Sequence, residues 1–157
     1  MDLILWRHAE AEDLDETDER GGDDLSRRLT ARGEKQAARM AVWLDRHLPE
    51  GTRVWCSPAV RAEQTALALG RKYRVRAELA PGAAPEALLE VVQWPHAHQA
   101  ALVVGHQPTL GQVVAQLLGL TTGACSIRKG AVWWLRHRER EGQWQTILLS
   151  VQAPDLL

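Results

Sequence analysis

Three short, mostly apolar segments constrain what this chain can fold into more than any other feature. They span residues 3–6 (LILW), 53–56 (RVWC) and 101–105 (ALVVG). Each segment is too short for an ordinary helix and ends at polar residues, which is typical of a buried β-strand. Amphipathic helical patterns separate the three segments, so strands and helices alternate along most of the chain. This alternation predicts an α/β domain.

Four helices are predicted between and after these strands. The first begins after Thr30, a good N-cap residue, and continues with apolar residues at helical spacing. Ser57 and Pro58 are the expected N-cap and first-turn residues of the second helix. Pro85 opens the third helix and Pro108 the fourth, because proline is favoured at the first helical position.

The remaining segments complete a mixed sheet. Residues 73–79 alternate like an edge strand, and two final strands, residues 131–137 and 144–151, turn around Glu141 and Gly142. This terminal hairpin adds antiparallel strands to a sheet that is otherwise parallel. The sequence therefore predicts a three-layer α/β/α sandwich around a mixed, mostly parallel sheet, in a single domain that spans all 157 residues.

Charge and composition exclude several classes of partner. The chain has 19 Lys and Arg against 20 Asp and Glu, so we expect it to bind neither nucleic acid nor membranes. Its apolar runs are shorter than the roughly 20 residues that cross a bilayer, and its start lacks the apolar core of a signal peptide, which predicts a cytoplasmic protein. Cys56 and Cys125 lack the neighbours of a zinc site, and we expect both to be buried free thiols.

Polar side chains with catalytic potential follow the three apolar segments. Arg7 and His8 come after the first segment, and His106 comes directly after the third. Arg61 lies one turn into the helix that follows the second. In open α/β sheets, ligands collect at the carboxyl ends of the central strands. Two histidines and two arginines at that edge would form a pocket rich in positive charge.

Such a pocket suits a phosphoryl group, which carries about −1.5 to −2 charge near neutral pH and offers three acceptor oxygens to guanidinium groups. A neutral imidazole can attack phosphorus while the cations stabilise the charge on the oxygens. The nearby arginines are expected to depress the pKa of His8 and keep it unprotonated. This chemistry uses no metal or other cofactor, and no cluster of metal ligands occurs at a recognisable spacing.

Four segments carry a motif pattern that extends over nearly the whole chain. They are, in order, residues 5–11 (LWRHAEA), 27–33 (RRLTARG), 57–66 (SPAVRAEQTA) and 104–108 (VGHQP). Together they resemble the four motifs of the histidine phosphatase superfamily, specifically its short SixA-type phosphohistidine phosphatase branch. The resemblance implies a phosphatase with an α/β/α sandwich fold around a mixed sheet.

The resemblance also implies a role for each matching residue. It implies that His8 is the nucleophile that becomes phosphorylated. It implies that Arg7 and Arg61 bind the phosphoryl oxygens and that His106 completes the pocket. Arg27 matches the arginine that precedes the Leu-Thr pair of the family, which implies an outer phosphate contact.

Two features depart from the superfamily pattern. Ala9 stands where the superfamily signature has glycine, and its methyl group restricts the backbone and slightly crowds the approach to phosphate. Arg-His-Ala nevertheless resembles SixA-like relatives. Many superfamily members protonate an ester leaving oxygen with a Glu or Asp from the loop after the third strand, and the nearest candidate for this general acid is Glu86. The alternative is that Glu86 is a first-turn carboxylate that interacts with the helix dipole.

The length of the chain favours a protein substrate. Only 44 residues lie between Arg61 and His106, which leaves no room for a lid insertion and predicts a shallow, open pocket. An open pocket suits a phosphorylated side chain on a protein. Phosphohistidine is favoured over phosphate esters, because its labile P–N bond tolerates a weak general acid. The acidic residues 10–24 repel small polyanions if they lie at the rim, or else form a solvated loop without a role. Asp15 and Asp18 could bind a cation, but the calcium-loop pattern is absent.

The leading prediction is therefore a metal-independent phosphatase that acts on phosphohistidine in proteins through an intermediate on His8. A small-molecule phosphomonoesterase of the same superfamily is the alternative if Glu86 reaches the pocket. The third hypothesis is a non-catalytic phosphate-binding module. A pure binder needs the cations but no nucleophile, so His8 and His106 argue against it.

Overall fold

A mixed sheet with six strands lies at the centre of the computed structural model, which describes residues 1–14 and 23–157. In chain order the strands are β1 (Asp2–Arg7), β2 (Arg53–Cys56), β3 (Arg74–Val75), β4 (Ala101–Gly105), β5 (Val132–Arg140) and β6 (Gln143–Gln152). They lie side by side in the order β3-β2-β4-β1-β5-β6.

β1 and β4 form the buried middle of the sheet. Their parallel register places Leu5 beside Val103, and every residue of β4 is buried. β2 and β3 continue the parallel arrangement, whereas β5 pairs antiparallel with β1 and β6 pairs antiparallel with β5. The prediction of a mixed, mostly parallel sheet is confirmed, and its central strands are continuously apolar because helices cover both faces.

Four helices flank the sheet in the described residues: α1 (Ala31–His47), α2 (Val60–Leu67), α3 (Pro85–Val91) and α4 (Thr109–Leu117). Apolar residues of α1 and α2 pack with Ile4 and Trp6 on one face, and those of α3 and α4 pack with Leu3 and Leu5 on the other. Successive side chains of β1 therefore enter different cores, as the pleat of a strand requires. This is the predicted three-layer α/β/α sandwich. None of these four helices combines the length and the apolar character that crossing a membrane requires.

The start of α1 is fixed to the segment that follows β1. Thr30 Oγ1 accepts a hydrogen bond from the Gly33 amide at 2.9 Å, so the predicted N-cap is confirmed. The Thr30 hydroxyl donates to Glu10 Oε2 at 2.8 Å, and the Thr30 amide donates to the Glu10 carbonyl at 3.0 Å. These bonds hold the chain after β1 against the first turn of α1.

The second helix begins later than the sequence indicated. α2 starts at Val60 after Ala59, so the prediction that Ser57 and Pro58 are its N-cap and first-turn residues is wrong. The physical reason is that the backbone is still extended at Ala59, with φ −64° and ψ 138°, so the helix begins only at Val60. The Ser57 hydroxyl accepts a hydrogen bond from the Ala59 amide at 3.1 Å and lies 2.7 Å from Nε2 of His106.

The edge of the sheet also differs from the prediction. β3 has two residues, and Ala77–Leu79 form a 3-10 helix, so the strand expected over residues 73–79 is mostly absent. Cys56, the last residue of β2, pairs with Val75, so the residues after Val75 have no β2 residue opposite them.

The two cysteines differ in burial. Cys56 is buried, and burial raises the pKa of its thiol. Cys125 is only half-buried, so the expectation that both thiols are buried is wrong for this residue. It lies in a loop, where its backbone carbonyl accepts a hydrogen bond from Gln107 Nε2 at 2.8 Å. Its side chain is partly buried and packs against the core that α3 and α4 form with Leu3 and Leu5.

Gly33 occupies a position in α1 where a side chain has no space. A Cβ there would overlap the carbonyl oxygen of Glu10. We expect Gly33→Ala to lower the free energy of unfolding in urea by about 1–3 kcal/mol, because the overlap outweighs a helix-propensity gain of about 1 kcal/mol. Gly123→Ala is the control, since no heavy atom of the described residues, apart from Gly123 and its two chain neighbours, lies within 4 Å of a Cβ at that position. A Gly33→Ala variant more stable than the parent would contradict this packing.

Candidate active site

Three parallel strands end at the same edge of the sheet and carry polar residues there. His8 follows β1, Ser57 follows β2, and His106 follows β4. Backbone hydrogen bonds fix these ends to each other. The His8 amide donates to the Gly105 carbonyl and the Ser57 amide donates to the Val104 carbonyl, each at 3.1 Å. The strand ends therefore converge as the sequence indicated.

The imidazole ring of His8 is buried and has one tautomer that satisfies its neighbours. Nδ1 lies 2.7 Å from the carbonyl oxygen of Ala9, which can only accept, so Nδ1 carries the proton. Nε2 lies 3.4 Å from Nε of Arg61, which can only donate. Nε2 therefore holds a lone pair that faces the guanidinium group.

His106 presents the other ring nitrogen to the same arginine. Its Nδ1 lies 3.4 Å from Nη2 of Arg61 and accepts, while its Nε2 donates to Ser57 Oγ at 2.7 Å. The rings of His8 and His106 are 5.1 Å apart between centroids, and their planes are inclined by 54°. Arg61 thus contacts an unprotonated nitrogen on each ring.

Two guanidinium groups bring positive charge to the pocket. Arg61 lies in the first turn of α2, and its side chain is only 5% exposed. Arg7 ends β1 and donates from Nη1 to the Ile127 carbonyl at 2.7 Å. Its buried Nε has no hydrogen-bond partner among the described residues. A buried donor without a partner is energetically costly.

Both histidines are held in the neutral form. The pKa of His8 is lowered to about 4, chiefly by burial and also by the charges of Arg61 and Arg7, against the opposing hydrogen bond to Ala9. The pKa of His106 is lowered to about 3, first by burial and then by His8 and Arg61. The expectation of an unprotonated His8 therefore agrees with its surroundings.

Arg27 and Asp24 adjoin this pocket. Arg27 donates from Nη1 to Asp24 Oδ1 at 3.0 Å and from Nε to the Glu12 carbonyl at 2.6 Å. Asp24 also accepts two hydrogen bonds from Arg61. Although burial opposes the shift, the bonds from Arg27 and Arg61 hold the pKa of Asp24 below its usual value. That Arg27 is an outer phosphate contact stays a prediction.

Glu86 lies in the first turn of α3 and is exposed. Its Oε1 accepts a hydrogen bond from Nε2 of Gln116 on α4 at 2.9 Å. Its own backbone amide and Gln116 hold the pKa of Glu86 below its usual value. These contacts are those of a helix-start carboxylate, and neither is made with a histidine or arginine of the pocket.

Part of the acidic segment 10–24 is described. Glu10 binds Thr30, and the Glu12 carbonyl binds Arg27. Asp15 and Asp18 lie outside the described residues, and with them the interpretation of this segment as a cation site. In residues 1–14 and 23–157, no group of three or more His, Cys, Asp or Glu side chains gathers where it would hold a metal ion.

Three side chains that build the site were given no role there by the sequence analysis. Ser57 supports His106, Asp24 supports Arg61, and Thr65 joins β1 to α2. Thr65 Oγ1 accepts from the Ala9 amide at 3.1 Å and donates to the Arg61 carbonyl at 2.8 Å. The position of Ser57 directly after a strand was the available signal. Asp24 and Thr65 have none, because their roles depend on which distant residues they meet.

A comparison with known proteins matches this arrangement. Residues 3–84 match the family model of the histidine phosphatase superfamily (branch 1). A protein of Haemophilus influenzae named phosphohistidine phosphatase SixA homolog is 32% identical over 135 residues, which cover 76% of this chain and 78% of that protein. The chain therefore belongs to the histidine phosphatase superfamily, and it is a phosphatase.

Solved structures place the chain among SixA-like proteins. A SixA-type structure from Nakamurella multipartitia is 31% identical, with a TM-score of 0.74, and the match covers 98% of this chain and 95% of that one. The structure of the protein histidine phosphatase SixA complexed with tungstate is 26% identical, with a TM-score of 0.77 and 99% of both chains covered. The resemblance in the four sequence motifs is thus confirmed.

The buried histidines should make the stability of the protein depend on pH. Between pH 6.5, the ordinary pKa of histidine, and about 4, the folded state binds fewer protons at His8 than the unfolded chain does. The free energy of unfolding therefore falls as the pH falls, by on the order of 1–2 kcal/mol per buried imidazole at pH 5. His106 contributes in the same direction.

Urea denaturation at pH 7 and pH 5 measures this effect. The loss of stability on acidification should be smaller in the His8→Gln/His106→Gln double variant than in the parent, because the two titrating groups are gone. An equal loss in both proteins would show that the two imidazoles are protonated in the folded state.

Proposed function

We propose that this phosphatase acts without a metal ion on phosphohistidine in proteins, through a phosphohistidine intermediate on His8. The observation that carries the proposal is the buried, unprotonated Nε2 of His8, 3.4 Å from the guanidinium of Arg61. A neutral imidazole is already a nucleophile at pH 7, so no base is needed to activate it. The adjacent arginines supply the positive charge that a metal ion would otherwise supply.

The reaction follows in two balanced steps. In the first, His8 Nε2 bonds to phosphorus and the P–N bond of the substrate breaks. The departing imidazole keeps the electron pair and takes a proton from the solvent. In the second, a water oxygen bonds to phosphorus, the bond to Nε2 breaks, and inorganic phosphate leaves. The attacking water releases a proton to the solvent, which replaces the one taken in the first step, and His8 returns to its starting form.

The surrounding groups stabilise charge in both steps. In this proposal Arg61, which faces His8 Nε2, and Arg7, whose buried Nε has no partner among the described residues, donate to the phosphoryl oxygens. His106 faces the same arginine and completes the pocket. The bond from His8 Nδ1 to the Ala9 carbonyl stabilises the positive charge that the ring gains when Nε2 is phosphorylated.

Phosphohistidine is the substrate class that this site supports best. The leaving imidazole is readily protonated, so the reaction does not depend on a strong general acid in the pocket. The hydrogen bond between Glu86 and Gln116 engages the one carboxylate proposed as that acid. The name of the Haemophilus influenzae relative supports the same substrate. A phosphomonoesterase that acts on alkyl esters would need an acid, and the contacts of Glu86 do not favour it.

The intermediate can be trapped. Enzyme quenched during turnover of a ³²P-phosphohistidine protein should carry acid-labile label on His8, and His8→Ala should abolish both label and turnover. Peptide mapping locates the label.

Arg61→Ala and His106→Ala each remove a group aimed at the transferring phosphoryl and should lower the rate about 100- to 1,000-fold.

His47→Ala is the matched control, because His47 is exposed on α1 and stacks on Trp43. We expect this variant to keep the parent rate and the label. Label on another residue, or undiminished turnover in His8→Ala, would disprove the assignment of the nucleophile.

A further inference from the structure

Two different edges of the Arg61 guanidinium meet different parts of the protein. Nη1 donates to the backbone carbonyl of Asp24 at 2.6 Å, and Nη2 donates to Asp24 Oδ2 at 3.0 Å. The Nε–Nη2 edge instead faces His8 Nε2 and His106 Nδ1, each at 3.4 Å. Asp24 thus holds the outer end of the group while the adjacent edge points into the pocket.

The Asp24 carboxylate also binds Arg27, which lies beside the pocket. Its Oδ1 accepts from Arg27 Nη1 at 3.0 Å, so one side chain bridges Arg27 and Arg61. Asp24 begins the short 3-10 helix Asp24–Ser26, which Asp23 caps by accepting from the Ser26 amide at 2.9 Å. The bridge is therefore attached to a short structured turn.

We propose that Asp24 is a positioning residue, which aligns Arg61 so that its Nε–Nη2 edge meets the phosphoryl group between His8 and His106. This inference rests on the proposed function. Asp24 acts through Arg61 and does not touch the phosphoryl group. It is therefore distinct from the four residues that form the pocket.

A long arginine side chain needs such a constraint in this setting. A free arginine side chain carries about 2 kcal/mol of rotamer entropy, and catalysis gains most from donors that are fixed before the reaction. The like charges of Arg7 and Arg27 also repel Arg61. With Asp24 included, the three arginines and one carboxylate carry a net charge of +2, which complements a phosphoryl group of about −1.5 to −2.

An alternative role for Asp24 predicts the opposite effect of its removal on phosphate affinity. If the Asp24 carboxylate occupied the phosphoryl position itself, it would compete with the substrate, and its removal would strengthen binding. The contacts argue against this role, because one of the two Asp24 acceptors is a backbone carbonyl and both bind the outer end of Arg61. The sign of the change in phosphate affinity separates the two roles.

The test compares Asp24→Asn and Asp24→Ala with Asp23→Ala, which disturbs the same turn without contacting Arg61. We expect both Asp24 variants to lower kcat on a phosphohistidine protein about 10- to 100-fold, because misplaced donors act on the transition state. Their dissociation constant for inorganic phosphate, measured by calorimetry, should rise about five- to tenfold. Asp23→Ala should stay within about twofold of the parent in both measurements.

A double-mutant cycle shows whether Asp24 acts through Arg61. Asp24→Ala should cost little further activity in an Arg61→Ala background, whereas fully additive losses would overturn the proposal. Tighter phosphate binding, an equal effect of Asp23→Ala, or unchanged kcat and phosphate affinity in both Asp24 variants would also overturn it. If the parent protein hydrolyses no phosphohistidine, the proposed function fails, and the phosphate titration still decides the role of Asp24.

Discussion

The parallel pairing of β1, β4 and β2 is the constraint on which the rest of the site depends. Parallel strands end at one edge of the sheet, so the residues after each strand meet there although they are far apart in sequence. The His8 amide donates a hydrogen bond to the carbonyl of Gly105, the last residue of β4. The Ser57 amide donates one to the carbonyl of Val104, the residue before it. A shift of one residue in this register would turn the alternating side chains to the other face and separate the histidines.

Burial keeps the two imidazole rings of this arrangement unprotonated. The two rings lie at the ends of fully covered strands, where the protonated form of an imidazole is disfavoured, and the neighbouring arginines strengthen that effect. Each ring then has one tautomer that satisfies its neighbours, and in each the lone pair faces Arg61. Hydrogen bonds with Ala9, Ser57 and Asp24 hold the two rings and the guanidinium group in these orientations.

The sequence predicted most of the fold and the convergence of four residues, Arg7, His8, Arg61 and His106, because both depend on local patterns. Apolar runs marked the strands, and the residues that follow them marked His8 and His106. The missed features depend on long-range partners. Ser57 looks like a helix cap until His106 is placed beside it, and Asp24 is one of nine acidic residues in segment 10–24 until its carboxylate meets Arg61. The shortness of β3 likewise follows from where β2 ends.

The most direct test of the central claim is a side-by-side turnover assay on a phosphohistidine protein and a panel of phosphate esters after exhaustive chelation of metals. We expect rapid release of phosphate from phosphohistidine, at the same rate with and without chelation, and slower turnover of alkyl phosphates. A preference for alkyl phosphates, or a loss of activity on chelation that one divalent ion restores, would contradict it.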